Sequence, residues 1–189
     1  MLPGLASELA IDGGEPVRSS FLPYGRQSIS DDDIEAVRAV LKSDFLTTGP
    51  AVASFEKSLT VAIGVEHAVA VSSGTAALHA MYAAAGIGPG DEVIVPIITF
   101  AATANAALYV GARPVFADVN PTTLLIDPSS VSELITDSTK AIVGVDFAGQ
   151  PAEYESLYDL ASGRDIAVMA DAAHSLGSTR DGVPGGKIA

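Results

Sequence analysis

Val69-Ala70-Val71-Ser72-Ser73-Gly74-Thr75-Ala76-Ala77-Leu78-His79-Ala80 reads as a buried strand that stops at two serines, turns through a glycine and enters an alanine-rich helix. A helix opening on Ser, Gly and Thr leaves backbone N–H groups free at its positive end. Such an end binds a phosphate without any basic side chain. The same residues also suit an ordinary capped helix, with Ser72 or Ser73 as the cap. The stretch alone does not choose between the two; its surroundings must.

Downstream, apolar strands alternate with helical stretches. Strands are predicted at 67–71, 92–95, 114–118, 140–145 and 166–170, and helices at 75–85, 100–110, 129–135 and 154–162. That alternation predicts an α/β fold: a three-layer, mostly parallel sheet with helices on both faces. Upstream, Ser30-Asp31-Asp32-Asp33 has the form of a capping box, and Ile34, Val37, Val40 and Leu41 make an apolar stripe. Thr47-Thr48-Gly49-Pro50 is a turn; Pro50 opens a second helix bearing Val52, Phe55, Leu59 and Ile63, and Gly64 closes it. Residues 1–28 show Gly13-Gly14, Pro16, Pro23 and no period, and are expected to be an extended arm lying on a surface of this chain or of a partner. Residues 29–189 make the expected domain, with 179–189 as a loop-like tail.

Composition narrows the function classes. The 189 residues are 48% hydrophobic, enough for a sizeable core, and carry a net charge of −13 from 10 basic and 23 acidic side chains. That balance excludes a nucleic-acid partner or an anionic membrane surface, both of which need clustered Lys and Arg. With no cysteine there is neither a disulfide framework nor a thiolate metal site, and no metal is expected. Residues 93–112 hold no charge, yet Pro96 interrupts them, so they read as a strand and a buried helix rather than a membrane span. The opening residues show no charged-then-apolar leader, so a cytoplasmic protein is expected.

Parallel strands end on one rim, where α/β proteins bind ligands. Beyond the expected strand ends lie Ser72-Ser73-Gly74-Thr75, Pro96-Ile97-Ile98-Thr99-Phe100, Asp146-Phe147-Ala148-Gly149-Gln150-Pro151 and Asp171-Ala172-Ala173-His174-Ser175. The rim thus collects a phosphate cradle, an aromatic ring, two carboxylates and an imidazole. Asp171, after an apolar run, is either a cap for the residues that follow or the counter-charge of a protonated ring nitrogen. Phe100 is either core filler or a plate for a flat cofactor ring. His174 is either a partner of Asp171 or a further ligand-facing group.

Taken with Gly88-Pro89-Gly90-Asp91-Glu92-Val93-Ile94-Val95-Pro96, Thr99-Phe100-Ala101-Ala102-Thr103-Ala104-Asn105-Ala106, Gly149-Gln150-Pro151 and Asp171-Ala172-Ala173-His174, the chain from Leu46 onward resembles the nucleotide-sugar aminotransferases of the DegT/DnrJ/StrS type. These are pyridoxal-phosphate enzymes of fold type I. The resemblance implies an incomplete large domain in which Ser73, Gly74 and Thr75 hold the phosphate of pyridoxal phosphate or pyridoxamine phosphate. Phe100 would stack on the ring, Asp171 would pair with its nitrogen, and His174 would lie near its hydroxyl. Thr48 and Gly49 would line the substrate end. Many relatives carry His-Leu-Tyr-Gly where this chain has Asp146-Phe147-Ala148-Gly149, which leaves the part played by Asp146 open.

The family's Schiff-base lysine lies in a segment past Asp-Ala-Ala-His that is not found up to Ala189, and Lys187 is not assigned that part. No catalytic residue is therefore expected within the chain. The resemblance implies that the intact protein is a homodimer moving an amino group from glutamate to a keto nucleotide-sugar, in cell-surface polysaccharide synthesis. Two alternatives stay open: a non-catalytic cofactor-binding or regulatory module, and a sugar dehydratase variant. It further implies that the first strand has no neighbour here, with the other four in the order third, second, fourth, fifth. Unpaired edges would then leave the isolated chain marginal and prone to associate.

Overall fold

A computed structural model describes residues 9–23 and 25–187. The chain divides into two units, one reaching Thr47 and one starting at Thr48. In the first, a single 3-10 turn at Ala10–Asp12 is closed by Gly13 at φ 102, and the residues around it are largely exposed. Residues 1–8 and 24 of the expected arm lie outside the described residues. Helix α1 (Asp31–Leu41) carries the predicted capping box: Ser30 Oγ accepts from the Asp33 N–H while the Asp33 carboxylate accepts from the Ser30 N–H.

The second unit begins with α2 (Pro50–Ile63), with Pro50 at its first turn and Gly64 in the left-handed region at φ 73. Then follow α3 (Gly74–Ala84), β1 (Glu92–Pro96), α4 (Ala101–Tyr109), β2 (Arg113–Ala117), α5 (Pro128–Leu134), β3 (Thr139–Val145), α6 (Tyr154–Ala161) and β4 (Ala167–Asp171). The strands pair in parallel in the order β2-β1-β3-β4, as expected for the third, second, fourth and fifth predicted strands.

Alternation along the strands makes the three layers. Val93, Val95, Ala141, Val143 and Met169 pack with Leu78, Tyr82 and the alanines of α4 in one cluster. Ile94 and Ile142 belong to a second cluster with Val131, Tyr154 and Leu157 of α5 and α6. The chain moves from β1 to β2 in one direction and from β3 to β4 in the other. Right-handed crossovers therefore put α4 and α6 on opposite faces and open a switch point between the ends of β1 and β3. Among the described residues, no helix is long and apolar enough to cross a membrane.

Two expectations are corrected. Residues 67–71 are not a buried strand: no ladder forms there among the described residues, and Val69 is 80% exposed. A strand needs a neighbour for its N–H and C=O groups, and here Ala70 N–H donates instead to Glu56 Oε1 at 2.8 Å. The tail is not all loop either. β5 (Thr179–Arg180) pairs antiparallel with β6 (Val183–Pro184). Between them Asp181 and Gly182 both take positive φ, 50 and 81, the tight hairpin geometry that an Asp-Gly pair favours.

Candidate active site

A cleft of about 480 Å³ opens at the switch point. Gly74, Thr75 and Leu78 of α3 line it, as do Ile98 to Phe100 after β1, Val145 to Phe147 after β3, and Asp171, Ala173 and His174 after β4. Helix α3 presents its N-terminus there. Ser73, not Ser72, is the cap: its hydroxyl accepts from the Ala76 N–H at 3.1 Å. The Gly74 and Thr75 N–H groups, one turn too early for an intrahelical partner, remain for a ligand.

Phe100 caps the start of α4 and is 75% exposed, so it is not core filler. The Asp171 carboxylate has a donor on each oxygen: Thr103 Oγ1–H donates to Oδ2 at 2.7 Å and the Ala173 N–H to Oδ1 at 3.3 Å. Its hydrogen bonds thus come from Thr103 and a turn amide, not from His174. His174 is exposed at the cleft. Thr48, at φ 52, and Gly49 are not among the residues lining the cleft.

Asp146 is fully buried and holds three segments together. Its Oδ1 accepts from the Ala152 N–H at 3.0 Å and the Tyr154 hydroxyl at 2.7 Å, and its Oδ2 accepts from Ser175 Oγ–H at 2.6 Å. Desolvation, reinforced by the Asp146 carboxylate, pushes the Tyr154 hydroxyl far above the usual tyrosine range, so it stays a donor. In the same way, desolvation and then Asp171 raise Tyr82, whose hydroxyl donates to the Thr103 carbonyl at 3.0 Å. Gly149, at φ 86, lets the loop after β3 approach His174 closely: a Cβ there would stand 3.2 Å from the His174 carbonyl.

Thr103, Ser175 and Tyr154 do not line the cleft but donate to its two carboxylates, and the sequence does not single them out. The only hint is that Thr99 and Thr103 sit one helical turn apart. No lysine is among the residues lining the cleft; the Lys187 amine lies 3.1 Å from where a side chain on Gly64 would start, at the C-terminal end of α2.

The pattern of the DegT/DnrJ/EryC1/StrS aminotransferase family matches residues 27–189. A UDP-4-amino-4-deoxy-L-arabinose–oxoglutarate aminotransferase of Shewanella sediminis is 44% identical over 169 residues, covering 89% of this chain and 44% of that protein. A putative sugar aminotransferase from Streptococcus pneumoniae, in its PLP form, superposes with a TM-score of 0.84 at 33% identity, over 89% of this chain and 47% of that one. Escherichia coli GDP-4-keto-6-deoxy-D-mannose-3-dehydratase with bound hydrated PLP gives 0.79 at 34% identity, over 85% and 43%. The chain thus spans less than half the length of these relatives.

Pyridoxal phosphate is the cofactor that this family and these neighbours share, and the cleft's groups fit it. A helix N-terminus suits the phosphate, an exposed aromatic face suits the ring, and a carboxylate with both oxygens oriented suits a ring N–H. By this match, its extent along the sequence and the shared parallel sheet, the chain belongs to the DegT/DnrJ/EryC1/StrS aminotransferase family.

Proposed function

We infer that the whole protein transfers an amino group from glutamate to the keto carbon of a nucleotide-linked sugar, as a cytoplasmic homodimer serving cell-surface polysaccharide synthesis. Residues 1–189 supply the half of the cofactor site that grips the phosphate, the ring face and the ring nitrogen. The observation carrying this reading is one cleft shared by the open N-terminus of α3, the exposed ring of Phe100 and the doubly hydrogen-bonded Asp171. When bound, the cofactor supplies an electron sink that stabilises negative charge on the substrate carbon. Asp171 keeps a proton on the ring nitrogen. The Gly74 and Thr75 N–H groups anchor the phosphate, and His174, exposed at the cleft, would lie near the ring hydroxyl. Thr48 and Gly49 serve the substrate end.

With no lysine at the cleft, the 189-residue chain binds the cofactor without a covalent link and turns nothing over. Calorimetry with pyridoxamine phosphate tests this. Asp171→Ala is expected to weaken binding more than Phe100→Leu, because it removes the counter-charge of the ring. Equal affinity for wild type and Asp171→Ala would overturn the site. Turnover of a keto nucleotide-sugar that Lys187→Ala abolishes would overturn the reading of Lys187.

A second reading, a sugar dehydratase, is favoured by the superposition on the E. coli dehydratase, at a TM-score of 0.79 against 0.84 for the aminotransferase. The residue at the lysine position separates the two. The third possibility, a regulatory module, predicts that the whole protein binds cofactor without turnover.

A further inference from the structure

Thr103 is the one threonine inside the alanine-rich α4, and it is fully buried. A threonine in a helix usually returns its proton to a carbonyl one turn back. Elsewhere in this chain such local bonds form: Thr60 donates to the Lys57 carbonyl and Ser58 to the Ser54 carbonyl. Thr103 forgoes that option. Its Oγ1–H reaches across 68 residues to Asp171 Oδ2 at 2.7 Å.

Each hydroxyl has one proton. Since the Thr103 proton goes to Asp171, the 2.6 Å contact between the Thr99 and Thr103 oxygens must use the Thr99 proton. The chain of donors therefore runs one way, from Thr99 through Thr103 to the carboxylate. The Thr103 backbone is also held, since its carbonyl accepts from the buried Tyr82 hydroxyl of α3 at 3.0 Å. α3 is the helix whose N-terminus opens on the cleft. One residue thus ties the phosphate end of the site to its ring-nitrogen end.

On the reading of the cleft given above, we propose that Thr103 is a positioning residue for the cofactor. Its hydroxyl holds Asp171 in orientation and occupies Oδ2, so that the carboxylate receives the ring N–H without taking its proton. Thr99 fixes the direction of that donation.

Pyridoxamine phosphate labelled with 15N at the ring nitrogen, bound to the full 189-residue chain, tests the proposal. The 15N shift reports whether the ring nitrogen is protonated, and calorimetry reports affinity. Thr103→Val keeps the shape and removes the hydroxyl. It is expected to move the 15N resonance toward the unprotonated value and weaken binding about tenfold or more. Thr103→Ser is expected to restore both, and Thr99→Val to shift the resonance the same way by less. If Thr103→Val weakens binding with the resonance unmoved, Thr103 only supports the fold and the proposal falls. It also falls if Thr103→Val misfolds while Thr103→Ser has an altered resonance, or if Thr103→Val behaves as wild type. Failure of the unmodified chain to bind would overturn the reading of the cleft itself, and this proposal with it.

Discussion

Asp146→Ala is expected to be among the most damaging single changes in the second unit. Three donors converge on that carboxylate, and the residue is fully buried. Truncation leaves the Ala152 N–H and the Tyr154 hydroxyl without an acceptor. Ser175 is spared in part, because its hydroxyl also lies 3.3 Å from the Ala172 carbonyl. Two orphaned buried donors at about 1–3 kcal/mol each give a loss of about 2–6 kcal/mol. That compares with a net stability of about 5–15 kcal/mol for an ordinary domain.

Asp146→Asn should be much milder. Its carbonyl oxygen can still accept from Ala152 and Tyr154, while its amide donates to a Ser175 hydroxyl that turns toward Ala172. What remains lost is the extra strength of bonds to a carboxylate, about 1–2 kcal/mol. Urea unfolding followed by circular dichroism gives both free energies and their slopes. Tyr154→Phe in either background then supplies a double-mutant cycle. Equal losses for Asp146→Ala and Asp146→Asn, or no coupling between Asp146→Ala and Tyr154→Phe, would refute the reasoning.

Gly144→Ala should cost about 1–3 kcal/mol in the same assay, because its Cβ would stand 2.6 Å from Cε1 of a Tyr154 pinned by its hydroxyl; an unchanged midpoint would show that the ring yields. Glu92 predicts an acid-dependent loss. The Thr136 hydroxyl, and after it Arg113, hold its carboxyl below the usual range, so its stabilisation is full above about pH 4.3 and fades as pH falls through the lower folded value. Accordingly, the stability gap between wild type and Glu92→Gln should narrow only below about pH 4.3; a gap constant from neutral to strongly acid pH contradicts it. The isolated 189-residue chain should self-associate through accessible backbone that no ladder pairs, such as residues 67–71, and a sharp thermal transition with a strictly monomeric sedimentation profile would refute this.

Much of this fold is legible locally. Ser30 with Asp33, Pro50 with Gly64 and Ser73 before Gly74 are start and stop signals whose partners lie within a turn or a helix length, so they need no tertiary knowledge. The βα alternation predicts a parallel sheet, and a parallel sheet puts all its strand ends on one rim. That is why Phe100, Asp171 and His174 can be grouped from the sequence alone, although they span about seventy positions; Gly74 and Thr75 join them at the cleft although the stretch before them is no strand. The Asp-Gly hairpin at residues 181–182 is equally local, yet its strands are so short that the stretch reads as loop.

What stays hidden depends on which distant groups meet. Residues 67–71 have strand-like side chains, yet a strand is defined by pairing, and pairing is a property of two segments. Asp146 is legible as a carboxylate at a strand end, but its donors come from Ala152, Tyr154 and Ser175, on two other segments. Thr103 looks like one more small residue on a buried helix. Only the tertiary structure, which sets this hydroxyl 2.7 Å from a carboxylate 68 positions away at the end of β4, ties it to the site. Local composition determines which elements form and which rim carries the chemistry. The hydrogen-bond partners that orient that chemistry follow from register and helix packing, which no single stretch of the chain encodes.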